Sequence, residues 1–246
     1  MPLTTSTDIT IADLPHLASL DYESWQTPPN PQLKHFRPPF PSRGAAETWY
    51  ITSRTARVES PDPNTDFVKC YDEETGEIVG CAVWFVNHGL QEGKEKKKVE
   101  ATWHAEGSEE REFAERFVNG LWGFIDERVP GPRMDLHSII TSPKHRKNGC
   151  ARLLLAHGKQ KADALNIPIV ISSLPSARGA YEKCGFGAIE VIPPHPSLKG
   201  REEEVEGGMS DKWRSWCEED LSGWLMWRPV GRDYREGDKA PWVVDG

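Results

Sequence analysis

The residues whose types and spacing suggest chemistry lie in one short polar segment, His145-Arg-Lys-Asn-Gly-Cys-Ala. An apolar, strand-like run precedes it and a run with apolar residues at helical spacing follows it, so the segment is predicted to be a strand-to-helix turn. Gly149 and the small residues after it let the main chain approach a ligand closely, and the free N–H groups at a helix N-terminus favour an anion. Positive charge is added by four neighbouring side chains, those of Lys144, His145, Arg146 and Lys147. The turn therefore predicts a site for a diphosphate group.

Motif spacing and composition exclude several kinds of site. The turn has neither G-x-x-x-x-G-K-[ST] nor G-x-G-x-x-G spacing, so a nucleoside triphosphate or NAD is not the expected ligand. The five cysteines include no C-x-x-C pair, which argues against a disulfide framework and a structural zinc site. We expect no metal. A net charge of −8 disfavours nucleic acid as a partner.

The apolar patterns predict alternating strands and helices around this turn. A strand at 8–12 and helices at 14–25 and 45–58 come first, followed by a hairpin of strands 67–72 and 77–86 and by a helix that Ser108 caps. Beyond Pro132, strands at 134–141, 168–173 and 187–192 alternate with helices at 149–165 and 176–184, and a last strand spans 223–229.

These elements fit one α/β domain over residues 1–246 with a mixed α+β sheet. Its core covers 8–192 and the strand 223–229, whereas 193–222 is expected to be an insertion and 231–246 a tail. The charged run 91–100 is typical of a solvated loop. No run of 18 apolar residues and no secretory leader are visible, so we expect a cytoplasmic protein with no membrane partner, and a nuclear location also fits.

Two stretches resemble the GNAT superfamily of acyl-CoA-dependent N-acyltransferases. The first resembles its acyl-CoA signature, [RQ]-x-x-G-x-[GA], with Arg146, Gly149 and Ala151. The second resembles the pattern A-x-x-x-Y-x-x-x-G-F, which is met by Ala177, Tyr181, Gly185 and Phe186. Many family members carry Asn three residues before that alanine, where this chain has Leu174.

The resemblance implies a fold and an activity. The fold would be a central, mixed, mostly antiparallel sheet flanked by helices, with a bulge in strand 4 and strands 4 and 5 splayed apart. The activity would be transfer of an acetyl group from acetyl-CoA to a primary amine, on a small molecule or a peptide, by direct attack in a ternary complex. The protein would be a monomer or a homodimer.

The resemblance also implies the residues that bind the donor. These are main-chain groups near Ile139, Ile140 and Thr141, then Ser173, and the turn residues Arg146, Lys147, Asn148, Gly149, Cys150 and Ala151. Tyr181 would give a proton to the leaving thiolate. The alternative is a catalytically silent domain of the same fold that binds acyl-CoA or a partner.

The general base remains open at this point. Asp135 and His137 point to one face of a predicted strand, so either can serve as the base, and either can be structural. Cys150 at a helix N-terminus suggests a covalent route, which we disfavour because no His–Asp pair stands at a recognisable spacing. The tryptophans, including Trp25 and Trp49, fit either an aromatic acceptor pocket or the core.

Overall fold

The computed structural model describes residues 2–90, 98–194 and 209–243. Their strands are β1 (Leu3–Ser6), β2 (Thr65–Asp72), β3 (Ile78–Asn87), β4 (Arg133–Thr141), β5 (Ile169–Ser173), β6 (Gly187–Ile192) and β7 (Gly223–Arg228). Their helices are α1 (Leu14–Gln26), α2 (Leu33–Phe36), α3 (Arg43–Glu59), α4 (Glu109–Arg128), α5 (Cys150–Leu165), α6 (Arg178–Glu182) and α7 (Asp211–Cys217).

The strands form one mixed sheet in the order β1-β2-β3-β4-β5-β7-β6. All neighbours are antiparallel except β4 and β5, which are parallel and pair only at Met134–Ile169 and Asp135–Val170. Opposite β3, the register slips between Leu136 and Ser138, which leaves His137 unpaired in a bulge. The predicted fold class is confirmed, including the splay between strands 4 and 5.

Most predicted elements are present, but the strand expected at 8–12 is wrong. Residues 8–10 lead into a short 3₁₀ turn at Ile11–Asp13, and the edge strand is formed by Leu3–Ser6 instead. The Asp13 carboxylate accepts hydrogen bonds from the Thr10 main-chain N–H at 2.8 Å and from its hydroxyl at 3.0 Å. Such local side-chain bonds compete with a strand ladder and favour a turn.

Helix α5 lies against one face of the sheet, over the fully buried Trp84 of β3. The Trp84 indole N–H donates to the carbonyl of Leu154 at 3.3 Å, which satisfies its polar atom inside the core. Gly158 faces the same ring and leaves no room for a side chain. The opposite face is covered by α1 and α3 through a second apolar cluster, which includes Leu14, Leu17 and Tyr50.

The predicted insertion and tail pack on this framework where they are described. Trp213 of α7 is 1% exposed and meets Phe113 of α4 edge-on at 5.1 Å. Beyond β7, Asp233 accepts from the buried Arg228 at 3.0 Å, and Tyr234 lies against Gly187. Residues 91–97, 195–208 and 244–246, from the predicted loop, insertion and tail, lie outside the described residues.

No helix in the described ranges combines the length and the apolar character needed to span a bilayer.

The contact between Gly158 and Trp84 gives a stability prediction. A Cβ at 158 would stand 2.4 Å from two ring atoms of Trp84, so Gly158→Ala forces the helix and the strand apart. We expect a loss of about 1–3 kcal/mol in the free energy of unfolding, measured by urea denaturation. Gly123→Ala in α4 is the control, because nothing lies within 4 Å of its added Cβ. Equal denaturation midpoints for the two variants would contradict this packing.

Candidate functional site

A cavity of about 380 Å³ opens where β4 and β5 part, and we call it the slot. Ile139 and Thr141 of β4 line it, together with Ile171 of β5, Ala151 of α5 and Tyr181 of α6. Since β4 pairs with β5 only at its first residues, the later part of β4 presents main-chain groups to the slot instead of to a neighbouring strand. The slot can therefore hold an extended chain along β4.

The predicted anion-binding turn joins β4 to α5 beside the slot. Gly149 caps α5 with φ of 92°, and Lys147 also has a positive φ, of 69°. Arg146 lines the slot and donates from Nη2 to the carbonyl of Ser24 at 3.3 Å, which ties the turn to α1. Lys147 and Asn148 are exposed on the turn. The free N–H groups of α5 and these cations together favour a diphosphate.

Cys150 points away from the turn and into the core. It is 2% exposed, and its thiol lies at hydrogen-bonding distance from the thiol of Cys70. That contact, and then burial, raise the pKa of Cys150 well above the ordinary range of a thiol. The side chain is therefore a protonated packing group, and the chemistry of this position lies in its main chain.

The two serines at the end of β5 have different environments. Ser173 is 2% exposed, and its hydroxyl donates to the carbonyl of Leu174 at 2.9 Å. Ser172 lines the slot, and so does Leu174, the residue at the position where many members of the resembled family carry Asn. Ser172, and not Ser173, therefore reaches the cavity surface.

Tyr181 reaches the slot from α6. It is 8% exposed, and its ring packs edge-on against Phe186 at 6.1 Å. Burial raises the pKa of Tyr181, so the phenol stays protonated at neutral pH. A protonated phenol in the wall of the slot is suited to donate a proton to a leaving group.

A second cavity, of about 240 Å³, adjoins the slot, and we call it the aromatic cavity. Its wall comes from α1, α2, α3, α4 and β4, and five aromatic residues contribute to it: Trp25, Phe36, Trp49, Tyr50 and Trp122. Trp84 and Trp213, by contrast, are core residues. The tryptophans are therefore divided between the wall of this cavity and the core.

His137 stands at the bulge of β4 and lines both cavities. Its ring is open to the cavities and stacks nearly parallel to Trp122, with centroids 6.4 Å apart. The surrounding protein, and then the charges of Arg54 and Arg57, lower the pKa of His137 to about 4. The imidazole is therefore neutral at pH 7 and able to accept a proton.

Asp135 lines neither cavity. Its carboxylate accepts from Arg133 Nε at 2.8 Å and from Asn87 Nδ2 at 2.9 Å. Arg133 is 1% exposed and also donates to Asp126 at 2.6 Å and to the carbonyl of Val129. Asp135 thus belongs to a buried ion network at the end of β4 that pairs with β5, away from the bulge that carries His137.

Sequence reasoning missed Asp21 and Arg54, which also line the aromatic cavity. Asp21 accepts from Arg37 Nη1 and from Trp25 Nε1, both at 2.9 Å. Burial raises the pKa of Asp21, although Arg37 acts in the opposite direction. Nothing in the local sequence of α1 or α3 marks these charges, because only the packing of the helices brings them to β4.

The slot and the aromatic cavity share a wall at the bulge. Six residues line both, namely Trp25, Leu136, His137, Ser138, Ser172 and Leu174. Two molecules bound in the two cavities would therefore meet beside His137. Among residues 2–90, 98–194 and 209–243, no three His, Cys, Asp or Glu side chains are grouped so as to hold a metal ion.

Two of the three comparisons with known proteins found matches. The Acetyltransferase (GNAT) family matches residues 22–186. A Corynebacterium glutamicum structure, described as histone acetyltransferase HPA2 and related acetyltransferase, is 20% identical with a TM-score of 0.52, over 94% of this chain and 98% of that chain. A phosphinothricin acetyltransferase from Sinorhizobium meliloti, in complex with AcCoA, is 17% identical with a TM-score of 0.49, over 96% and 95%. No curated protein matches.

The turn gives a binding prediction. At φ of 92° any side chain is strained, so Gly149→Val distorts the first N–H groups of α5 and should weaken binding of coenzyme A by about tenfold or more in calorimetry. Gly107→Val is the matched control, since its φ of 72° carries a similar strain outside both cavities. We expect it to lower stability and leave the affinity unchanged. Full affinity in Gly149→Val would rule out diphosphate binding at this turn.

Proposed function

The chain belongs to the acetyltransferase (GNAT) family, and from this premise we propose that it transfers an acetyl group from acetyl-CoA to a primary amine by direct attack in a ternary complex. The observation that carries the proposal is the shared wall of the slot and the aromatic cavity at His137. A donor in the slot and an acceptor in the aromatic cavity would be held together, which removes most of the entropic cost of the encounter.

The donor would bind by its two ends. The diphosphate lies at the turn of Arg146 and Gly149, and the pantetheine arm follows β4 through the slot. Main-chain groups of β4 that lack a β5 partner supply its hydrogen bonds. The thioester then reaches the bulge, where the main chain around Ile139 is available to stabilise the carbonyl oxygen as it gains charge.

Direct attack is favoured over a covalent acyl-enzyme because no reactive thiol lies at the shared wall. Cys150 is buried beneath the turn. Cys81 lines the aromatic cavity but is only 3% exposed, and burial raises its pKa to about 12. Both thiols are protonated at neutral pH and make poor nucleophiles.

The step requires balanced proton transfers. The amine nitrogen bonds to the carbonyl carbon, the carbon–sulfur bond breaks, the amine loses one proton and the thiolate gains one. The nitrogen becomes much more acidic once it has bonded to carbon, so neutral His137 is suited to accept its proton. Tyr181, protonated because its pKa is raised, is suited to protonate the thiolate.

The first test measures thiol release from acetyl-CoA with a panel of primary amines. We expect release above the uncatalysed rate with some amines, and a loss of about 100-fold in Tyr181→Phe with coenzyme A affinity retained. Tyr234→Phe is the control, since that ring packs on Gly187 outside both cavities. Release at the uncatalysed rate with every amine would favour the alternative, a silent acyl-CoA-binding domain.

The second test concerns His137. In a proton NMR titration its imidazole should titrate well below the ordinary pKa of about 6.5, since the protein around it and two arginines disfavour its charged form. The pH–rate profile of acetyl transfer should then show no inflection near pH 6.5 that is caused by protonation of His137. His137→Gln should slow transfer about 100-fold across pH 6–9, whereas His16→Gln on the exposed side of α1 should not. Normal turnover in His137→Gln would exclude it as the base.

A further inference from the structure

The aromatic cavity contains a cation that forms no salt bridge with a carboxylate of the described residues. Arg54 of α3 is half-buried in its wall, with the guanidinium 5.3 Å from the ring centroid of Tyr50. Its Nε is fully buried and has no hydrogen-bond partner. No carboxylate within the described ranges forms a salt bridge with it, and Asp21 in the same wall acts on it only through its charge.

A second cation stands one helical turn further along α3. Nη1 of Arg57 is likewise buried without a hydrogen-bond partner. Burial, and then the charge of Arg54, lower the pKa of Arg57, so the two guanidinium groups repel each other. The carboxylate in the cavity wall, that of Asp21, already accepts from Arg37 and Trp25. The cavity therefore has excess positive charge, although the whole chain has a net charge of −8.

Elsewhere this chain pairs its buried arginines. Arg133, at 1% exposure, donates to Asp126 and Asp135, and Arg228, at 4%, donates to Asp163 and Asp233. A buried donor without a partner, such as Nε of Arg54, is costly because it has lost water without gaining a hydrogen bond. An anionic group on a ligand would supply the missing partner, and the planar fork of arginine suits a carboxylate.

We propose that the amine accepted in the aromatic cavity carries an anionic group that binds to Arg54, with Arg57 adding charge behind it. This inference rests on the proposed acetyl transfer and names the class of its acceptor. At about 240 Å³ the cavity lies below the roughly 300–1,000 Å³ of pockets for drug-sized ligands, so the acceptor is a compact amino acid. The aromatic wall contacts the apolar part of such a molecule.

The test compares acceptors that differ only in the anion. Thiol release from acetyl-CoA is measured with phenylalanine, phenylalaninamide, phenethylamine and the phosphonate analogue of phenylalanine, and then with the leucine and β-alanine series. We expect kcat/KM to be at least about tenfold higher for the anionic member of the best series than for its uncharged counterparts. The comparison of carboxylate with phosphonate identifies which anion the site prefers.

Variants of α3 test whether Arg54 causes the preference. Arg54→Gln should abolish it, and Arg54→Lys should retain part of it because the charge remains. Arg43→Gln, on the same helix but 46% exposed and paired with Glu47 outside both cavities, should retain all of it.

A binding readout is independent of turnover. The preferred anion should raise the pKa of His137 in wild-type protein by offsetting Arg54, and should not do so in Arg54→Gln.

The outcomes separate the two proposals. Transfer at the uncatalysed rate with every amine would overturn the proposed function. Efficient transfer to amines without preference for an anion would overturn this inference and leave the acetyltransferase proposal standing. A preference that survives Arg54→Gln, in protein whose circular dichroism matches wild type, would also overturn it.

Discussion

The separation of β4 from β5 after two residue pairs is the constraint on which the rest of the site depends. It leaves a strand edge inside the fold. The main-chain groups of such an edge need hydrogen-bond partners from the protein or from a ligand, because unpaired main-chain groups are costly in a core. The closed end is fixed by Arg133, which is held between Asp126 and Asp135. At the open end the bulge turns His137 into the space that the separation creates. One irregularity of the sheet therefore produces both the slot and the placement of its central polar side chain.

The elements around the slot were largely predictable from sequence, because their signals are local. A strand, a basic turn with Gly149 and an amphipathic helix follow one another within about thirty residues, and the structure contains all three. The aromatic cavity was not predictable, since Asp21, Arg54 and Trp122 come from three helices far apart in sequence. Their meeting is decided by tertiary packing on the sheet. The error at 8–12 has a local cause, because the Asp13 carboxylate accepts hydrogen bonds from Thr10 and such local bonds favour a turn.

Charge is distributed unevenly over this acidic chain. Cations gather at the turn before α5 and along the inner side of α3, and the arginines that stabilise the framework are matched by carboxylates. Each of these arginine–carboxylate pairs costs free energy of desolvation, but none leaves a buried guanidinium donor without a partner. The pairs therefore hold strands and helices in place. The cations at the two cavities have fewer partners within the protein. Their free hydrogen-bonding capacity is available to ligands, and net charge alone would not have indicated it.

The common wall of the slot and the aromatic cavity has a consequence for selectivity. Since Leu136 and Leu174 border both spaces, the volume open to the proposed acyl donor and the volume open to the proposed acceptor are not independent quantities. A donor with a longer acyl chain would extend past the bulge and occupy volume that the acceptor needs. Replacing either leucine with a smaller residue would enlarge both cavities. Evolution of this site toward longer acyl groups would therefore narrow its range of acceptors, unless α1 or α3 moved outward to compensate.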